Sequence, residues 1–182
     1  INSQDKINLD NKIKIFKTHF LNCKIDNHNF TNHTNTIGVI HIVRDPRNIV
    51  TSIMNHYDLT SVDEACEFLL NDQKWIGVDK INGKTFPKFI SSWNNHYNLW
   101  KQSKKNYFLI KYENLITNPE NEFKKIKEYF EKILSVTIKN EIFSSALNTT
   151  NFESLKKLET NNQFDENNLD KKGKKIQFFK LG

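Results

Sequence analysis

Between Ile37 and Val43 the chain runs through seven mostly apolar residues rich in β-branched types, the pattern of a strand buried on both faces. Arg44 follows at once, then Asp45 as an N-cap candidate and Pro46 at the first helical position. From there Ile49, Ile53 and Tyr57 recur every four residues, with Val50 and Met54 beside them on one helical face. The chain therefore passes from a parallel-type strand through a tight turn into a helix. That geometry is expected to aim free N–H groups and a positive dipole end at whatever lies above the strand.

The basic residues sharpen this reading. Of 27, only two are Arg, and both, Arg44 and Arg47, fall in this turn. A guanidinium offers a rigid planar fork that grips phosphate or carboxylate bidentately, whereas an ammonium is a point charge. Arg44, at the strand end, is read as an anion ligand. For Arg47 two readings stand: a second anion contact, or a solvated partner of the helix start.

The length of 182 residues fits a single domain, 1–182, with a sizeable core, and 12% aromatic residues argue against disorder. A net charge of +6 suits an anionic ligand, but the Lys are dispersed rather than striped, so nucleic acid is not expected. Two cysteines, Cys23 and Cys66, have neither disulfide-framework nor metal spacing, which favours a reducing compartment and a cytoplasmic location. No apolar run reaches membrane length.

Along the chain, residues 1–12 carry no fold signal. Residues 12–17 alternate with period two and read as a short strand ending in Lys17-Thr18-His19. Residues 22–36 read as a loop with solvated His28 and His33. Ser61 and Glu64 form a capping box opening a helix to about Asn71. Phe86-Pro87 is expected to open a helix with Phe89, Trp93, Tyr97 and Trp100 as its core stripe. Residues 105–111 are a second buried-type strand, and Asn118-Pro119 starts a helix to about Lys132. Further helices are expected over about 136–147 and from Asn151, with a loose polar loop over 159–177. Alternating strands and helices imply an α/β fold with a central, mostly parallel sheet flanked by helices. Ligands bind such sheets beyond the carboxyl ends of the strands. Those ends carry Lys17-Thr18-His19, Arg44 to Arg47, and Lys111-Tyr112-Glu113.

These groups have definable chemistry. Arg44 and the helix start would hold an oxyanion. Ser52, two turns along the helix, is either a hydroxyl donor to that anion or a small packing residue. Lys17 and His19 share one face of an extended segment. A His can take a proton from a hydroxyl, and a neighbouring ammonium can neutralise charge growing on a transferring group. Three classes fit: a group-transfer enzyme, a kinase-like nucleotide enzyme, and a non-catalytic basic module for polyanions.

The combination resembles one family. Val43 to Ser52 is similar to the 3′-phosphate-binding motif of the PAPS-dependent sulfotransferases, and Lys17-Thr18-His19 to the family's Lys-Thr-His. Tyr112-Glu113-Asn114-Leu115 with Pro119 resembles the Tyr-Glu-Asp-Leu…Pro segment, and Thr150-Asn151-Phe152 the Thr-Ser-Phe element. The resemblance implies a P-loop-NTPase-like sulfotransferase fold, here incomplete. The family's 5′-phosphosulfate loop has no counterpart before Lys17, and its Phe-x-Arg-Lys-Gly segment is matched only by Phe178 to Gly182, with Lys171-Lys172-Gly173 as a rival placement. A fragment of this kind is expected to have weak activity or none.

It further implies sulfuryl transfer from PAPS to a hydroxyl or amine of a small-molecule, glycan or lipid acceptor, with no metal. His19 would be the base and Lys17 its assistant. Arg44 and Ser52 would hold the 3′-phosphate, Tyr112, Thr150 and Phe152 would frame the nucleotide, and Lys180 and Gly182 would add a C-terminal phosphate contact.

Overall fold

The structure, a computed structural model, describes residues 2–10, 12–77, 86–103, 106–164 and 179. In chain order it contains α1 (Asn2–Ile7) with a 3-10 turn at Asn8–Asp10, the short strands β1 (Lys24–Ile25) and β2 (His28–Asn29), then β3 (Val39–Val43), α2 (Pro46–Tyr57) and α3 (Val62–Leu70). There follow β4 (Trp75–Ile76), β5 (Lys88–Phe89), α4 (Trp93–Lys101), β6 (Tyr107–Lys111), α5 (Tyr112–Thr117), α6 (Pro119–Leu134), α7 (Asn140–Thr150) and α8 (Phe152–Thr160). The architecture is α/β, as the alternating pattern predicts, with helices flanking a parallel pair.

That pair is β3 and β6. Val39 N–H donates to Asn106 O (3.0 Å) at their start, and Asp45 N–H donates to Glu113 Oε1 (2.8 Å) just past their end, so the strands run in the same direction. The residues group into two units, 1–41 with 66–109 and 42–65 with 110–182.

In the first unit the core is aromatic. Phe20 stacks on Phe30 with centroids 5.3 Å apart, Trp75 packs on Phe89 at 4.9 Å, and Leu21 and Trp100 are buried among them. Burying a side chain such as Leu21 contributes about 1.5–3 kcal/mol. β1 and β2 form a hairpin whose two turn residues, Asp26 and Asn27, both have positive φ (47° and 64°). Asp and Asn tolerate that left-handed geometry, which matches the twist of a two-residue hairpin. His28 and His33 are exposed as expected, but His28 lies on β2, so the stretch read as a loop over 22–36 contains a hairpin.

In the second unit Ile53, Ala65 and Ile110 are the buried apolar residues among those described. α6 starts at Pro119 with Asn118 accepting from Asn121 N–H and ends at Ser135 in the left-handed region.

Three local expectations are corrected. Residues 12–19 are extended but belong to no strand ladder, because alternation alone does not supply a hydrogen-bonding partner. Residues 2–10, which carry no pattern, are helical. Pro87 does not open a helix. It precedes β5, Ser91 then takes φ 58°, and Ser92 becomes the N-cap of α4, accepting from Asn95 N–H (3.3 Å). Pro46 and Pro119 do sit at helix starts.

Candidate active site

The turn after β3 is built by Asp45. Its carboxylate accepts from Arg47 N–H (2.9 Å), and its main-chain carbonyl accepts from the N–H groups of Asn48 (3.0 Å) and Ile49 (3.1 Å). Pro46 has no N–H to offer. The first turn of α2 is thus satisfied from within, which corrects the expectation that free helix N–H groups await an anion. The Asp45 carboxylate also faces the positive end of the helix dipole.

The two guanidinium groups divide the labour. Arg47 Nε and Nη2 both engage the Asp45 carboxylate, with the Arg47 side chain 87% exposed. Hydrogen bonds from Arg47 hold the Asp45 carboxyl well below its usual range, at about 2. Of the two readings of Arg47, the solvated partner of the helix start is the one observed. Arg44 differs. Its guanidinium lies over the Tyr112 ring, 4.7 Å from the centroid, and its Nε is buried with no hydrogen-bond partner among the described residues. A buried, orphaned guanidinium nitrogen is costly unless a ligand or neighbour satisfies it, because desolvation of a charged donor is not repaid.

Glu113 had no assigned task in the sequence, and the structure gives it one. It accepts from Asp45 N–H (2.8 Å), and backbone hydrogen bonds from Asp45 and from its own N–H lower its pKa. Glu113 therefore ties the start of α5 to the turn that carries Arg44. The available signal was its position directly after a strand end, opposite another strand's terminal turn. Ser52 is exposed on α2, and Thr150 is exposed at the end of α7, where its hydroxyl donates to Ala146 O (2.6 Å). Phe152 opens α8 behind its cap Asn151, with its ring edge-on to Phe179 at 5.9 Å. Lys180 and Gly182, with the rival Lys171 and Gly173, lie outside the described residues.

In the other unit, Lys17, Thr18 and His19 are exposed on the extended segment. The Thr18 hydroxyl accepts from Phe20 N–H (3.0 Å), which turns the chain inward. The chain just past His19 meets α4 where Trp100 Nε1 donates to Phe20 O (3.1 Å), and burial pushes the nearby His96 imidazole below its ordinary pKa. Behind His96 lies His41, buried, with Nδ1 paired to the Tyr107 hydroxyl at 2.8 Å. Burial pushes His41 down to about 4, and the nearby His96 adds to that shift.

A model of the sulfotransferase domain matches residues 2–180. The chain belongs to the sulfotransferase family. Among solved structures, the crystal structure of mouse sulfotransferase SULT7A1 complexed with PAP is similar at 18% identity and a TM-score of 0.50. The alignment covers 82% of this chain and 47% of the mouse sulfotransferase, so the chain spans about half the length of that protein. No curated protein sequence matches. At that identity the structural likeness establishes the sulfotransferase fold, which agrees with the expected α/β class. Among the described residues no helix of this sulfotransferase domain is long and apolar enough to cross a membrane.

Proposed function

We propose that the protein containing this chain transfers a sulfuryl group from PAPS to an acceptor hydroxyl or amine, and that the chain supplies the 3′-phosphate contact and the general base. The observation that carries the reading is Arg44, whose Nε is buried without a partner among the described residues while Arg47, three residues on, is engaged by Asp45. Arg44 has the donor chemistry a phosphate dianion needs, and Tyr112 and Glu113 hold that region in shape. Ser52 would add a hydroxyl. Phe152, and Tyr112 beneath Arg44, offer aromatic faces to an adenine.

PAPS supplies an activated sulfuryl group with a good leaving group. Transfer of such a group passes through a loose transition state, so the protein's contribution is positioning and charge stabilisation. His19 would accept the acceptor's proton at its imidazole, and Lys17 would offset negative charge developing at the leaving oxygen. The acceptor would be a small molecule, glycan or lipid.

The test is calorimetry on the full-length protein with adenosine 3′,5′-bisphosphate and with ADP. The reading expects the bisphosphate to bind more tightly, without Mg²⁺, and the preference to vanish in Arg44→Ala. Equal affinity for the two nucleotides, or a strict Mg²⁺ requirement, would overturn it in favour of a kinase-like enzyme.

A further inference from the structure

In the first unit, the end of α4 and the chain around β2 line a cleft of about 230 Å³. Its lining is chemically uniform: four carboxamides, from Asn22, Asn29, Asn32 and Gln102, with three hydroxyls and one imidazole. In a chain that is 37% hydrophobic and 26% charged, none of these eight described lining residues belongs to either class. The walls are fixed from behind. Asn29 sits on β2 opposite Lys24 in the hairpin. Asn32 Oδ1 accepts from the N–H groups of Thr34 (3.1 Å) and Asn35 (2.9 Å), and Asn32 O accepts from Thr36 N–H (3.0 Å). The Thr31 hydroxyl donates to Gln4 Oε1 (3.0 Å) and pairs with the Thr36 hydroxyl (2.5 Å). Asn22 Nδ2 donates to Leu99 O (3.3 Å). The tips are different. Among the described residues, Asn22 Oδ1 and the side chains of Asn29, His33, Gln102 and Ser103 have no hydrogen-bond partner. Fixed walls with uncommitted polar tips are a preorganised arrangement, which lowers the entropy cost of binding.

The chemistry of the lining selects among ligands. An anion would meet no Lys or Arg there. An apolar molecule would strip water from amides and hydroxyls without replacing the lost hydrogen bonds. A neutral sugar ring does neither, because each of its hydroxyls both donates and accepts, as a carboxamide and a hydroxyl side chain do together. The volume lies below the roughly 300–1,000 Å³ of sites for drug-sized molecules, the scale of a single ring. We propose that this cleft binds one neutral saccharide unit through Asn29, His33, Gln102, Ser103 and the Asn22 carboxamide oxygen. The site uses no residue assigned to sulfuryl transfer and does not rest on that reading. A free sugar and one unit of a longer glycan present the same chemistry, and the test separates them.

The experiment is saturation-transfer NMR with titration on the full-length protein. The probes are glucose, galactose and N-acetylglucosamine, with glucuronate as the charged control and chitotriose as the chain probe. At least one neutral sugar is expected to bind about tenfold or more tightly than glucuronate. Asn29→Ala and Gln102→Ala are each expected to weaken that binding roughly three- to tenfold, the loss of one hydrogen bond. Gln73→Ala, at an exposed glutamine outside the cleft, is expected to leave it unchanged. Thermal unfolding of each variant separates lost binding from lost folding. Asn29→Asp, which keeps the shape but has no NH2 donors, replaces an alanine variant that unfolds. Chitotriose binding more tightly than N-acetylglucosamine assigns the cleft to one unit of a glycan, and equal binding assigns it to a free sugar. No binding by any of the three sugars, glucuronate binding as tightly, or undiminished binding in both cleft variants overturns the proposal.

Discussion

The Arg44 turn and the His19 segment are held in opposite ways. The turn carries much of its own support: Asp45 caps the helix, satisfies its first N–H groups and engages Arg47, all within five residues. The segment has local contacts where Lys12 and Lys14 meet Asp10 and Ile7 and where Thr18 accepts from Phe20 N–H, but the residues just past it, Phe20 and Leu21, are held by α4 and β5, more than sixty positions further along the chain. The lesson is that the Arg44 turn is specified locally, whereas the chain that carries His19 onward depends on packing elsewhere. Damage to the core of the first unit should therefore reach His19, while the Arg44 turn should be sensitive mainly to its own residues.

The strongest test of this division is His19→Ala in the full-length protein. Sulfuryl transfer should fall by about 10²- to 10⁴-fold, the usual contribution of a general base, with affinity for adenosine 3′,5′-bisphosphate unchanged. A parallel loss of affinity would break the comparison, because it would make the segment part of nucleotide binding. Next in size, Arg44→Ala should weaken bisphosphate binding by roughly 10- to 100-fold by calorimetry, and Arg44→Lys should recover little of it. Arg47→Ala should change that affinity by less than about threefold, since exposed ion pairs contribute little. A large Arg47 effect would reassign the anion contact.

A smaller effect is expected from Ser92→Ala, which removes the cap of α4 and should cost about 1 kcal/mol of stability in denaturant titration. Its diagnostic value is in where the loss appears: exchange at Leu21 should accelerate, and the Arg44 turn should not respond. A last effect concerns acid. Burial holds His41 at about 4 against an ordinary 6.5, so between those values the unfolded chain binds the proton that the folded chain refuses. Stability contributed by neutral His41 is complete above pH 6.5 and is lost as pH falls toward 4. His41→Gln should flatten the dependence of Tm on pH in that window. An unchanged slope would locate the acid sensitivity at another group.

How far the sequence could be read follows the same division. The strand over 39–43, the Asp45 cap and the Pro46 start were legible because each depends on neighbours within a few residues. The same holds for Asn118 and Pro119. The fate of the helix N–H groups was not, since a capping Asp that also accepts through its own carbonyl leaves none over for a ligand. Pro87 misled because proline fixes its own φ without saying whether a strand or a helix follows. His96 passed unnoticed between Trp93, Tyr97 and Trp100, whose spacing signals core. Its ring lies 5.9 Å from that of His41, more than fifty positions away, and no local pattern encodes that contact. Glu113 was visible as the residue after a strand, yet only its bond to Asp45 shows what it does.

The bond between Asp45 and Glu113 has a wider consequence. The Arg44 turn draws its supports from residues 44 to 49 and from Tyr112 and Glu113, so it closes like a clasp on the two ends of a long excursion of chain. Among the described residues, those between Ile49 and Tyr112 supply none of those clasping contacts. Within that excursion β6 and the buried Ile53, Ala65 and Ile110 are bound to the rest of the fold, so its connecting loops, rather than its elements, are where length can change without loosening the clasp.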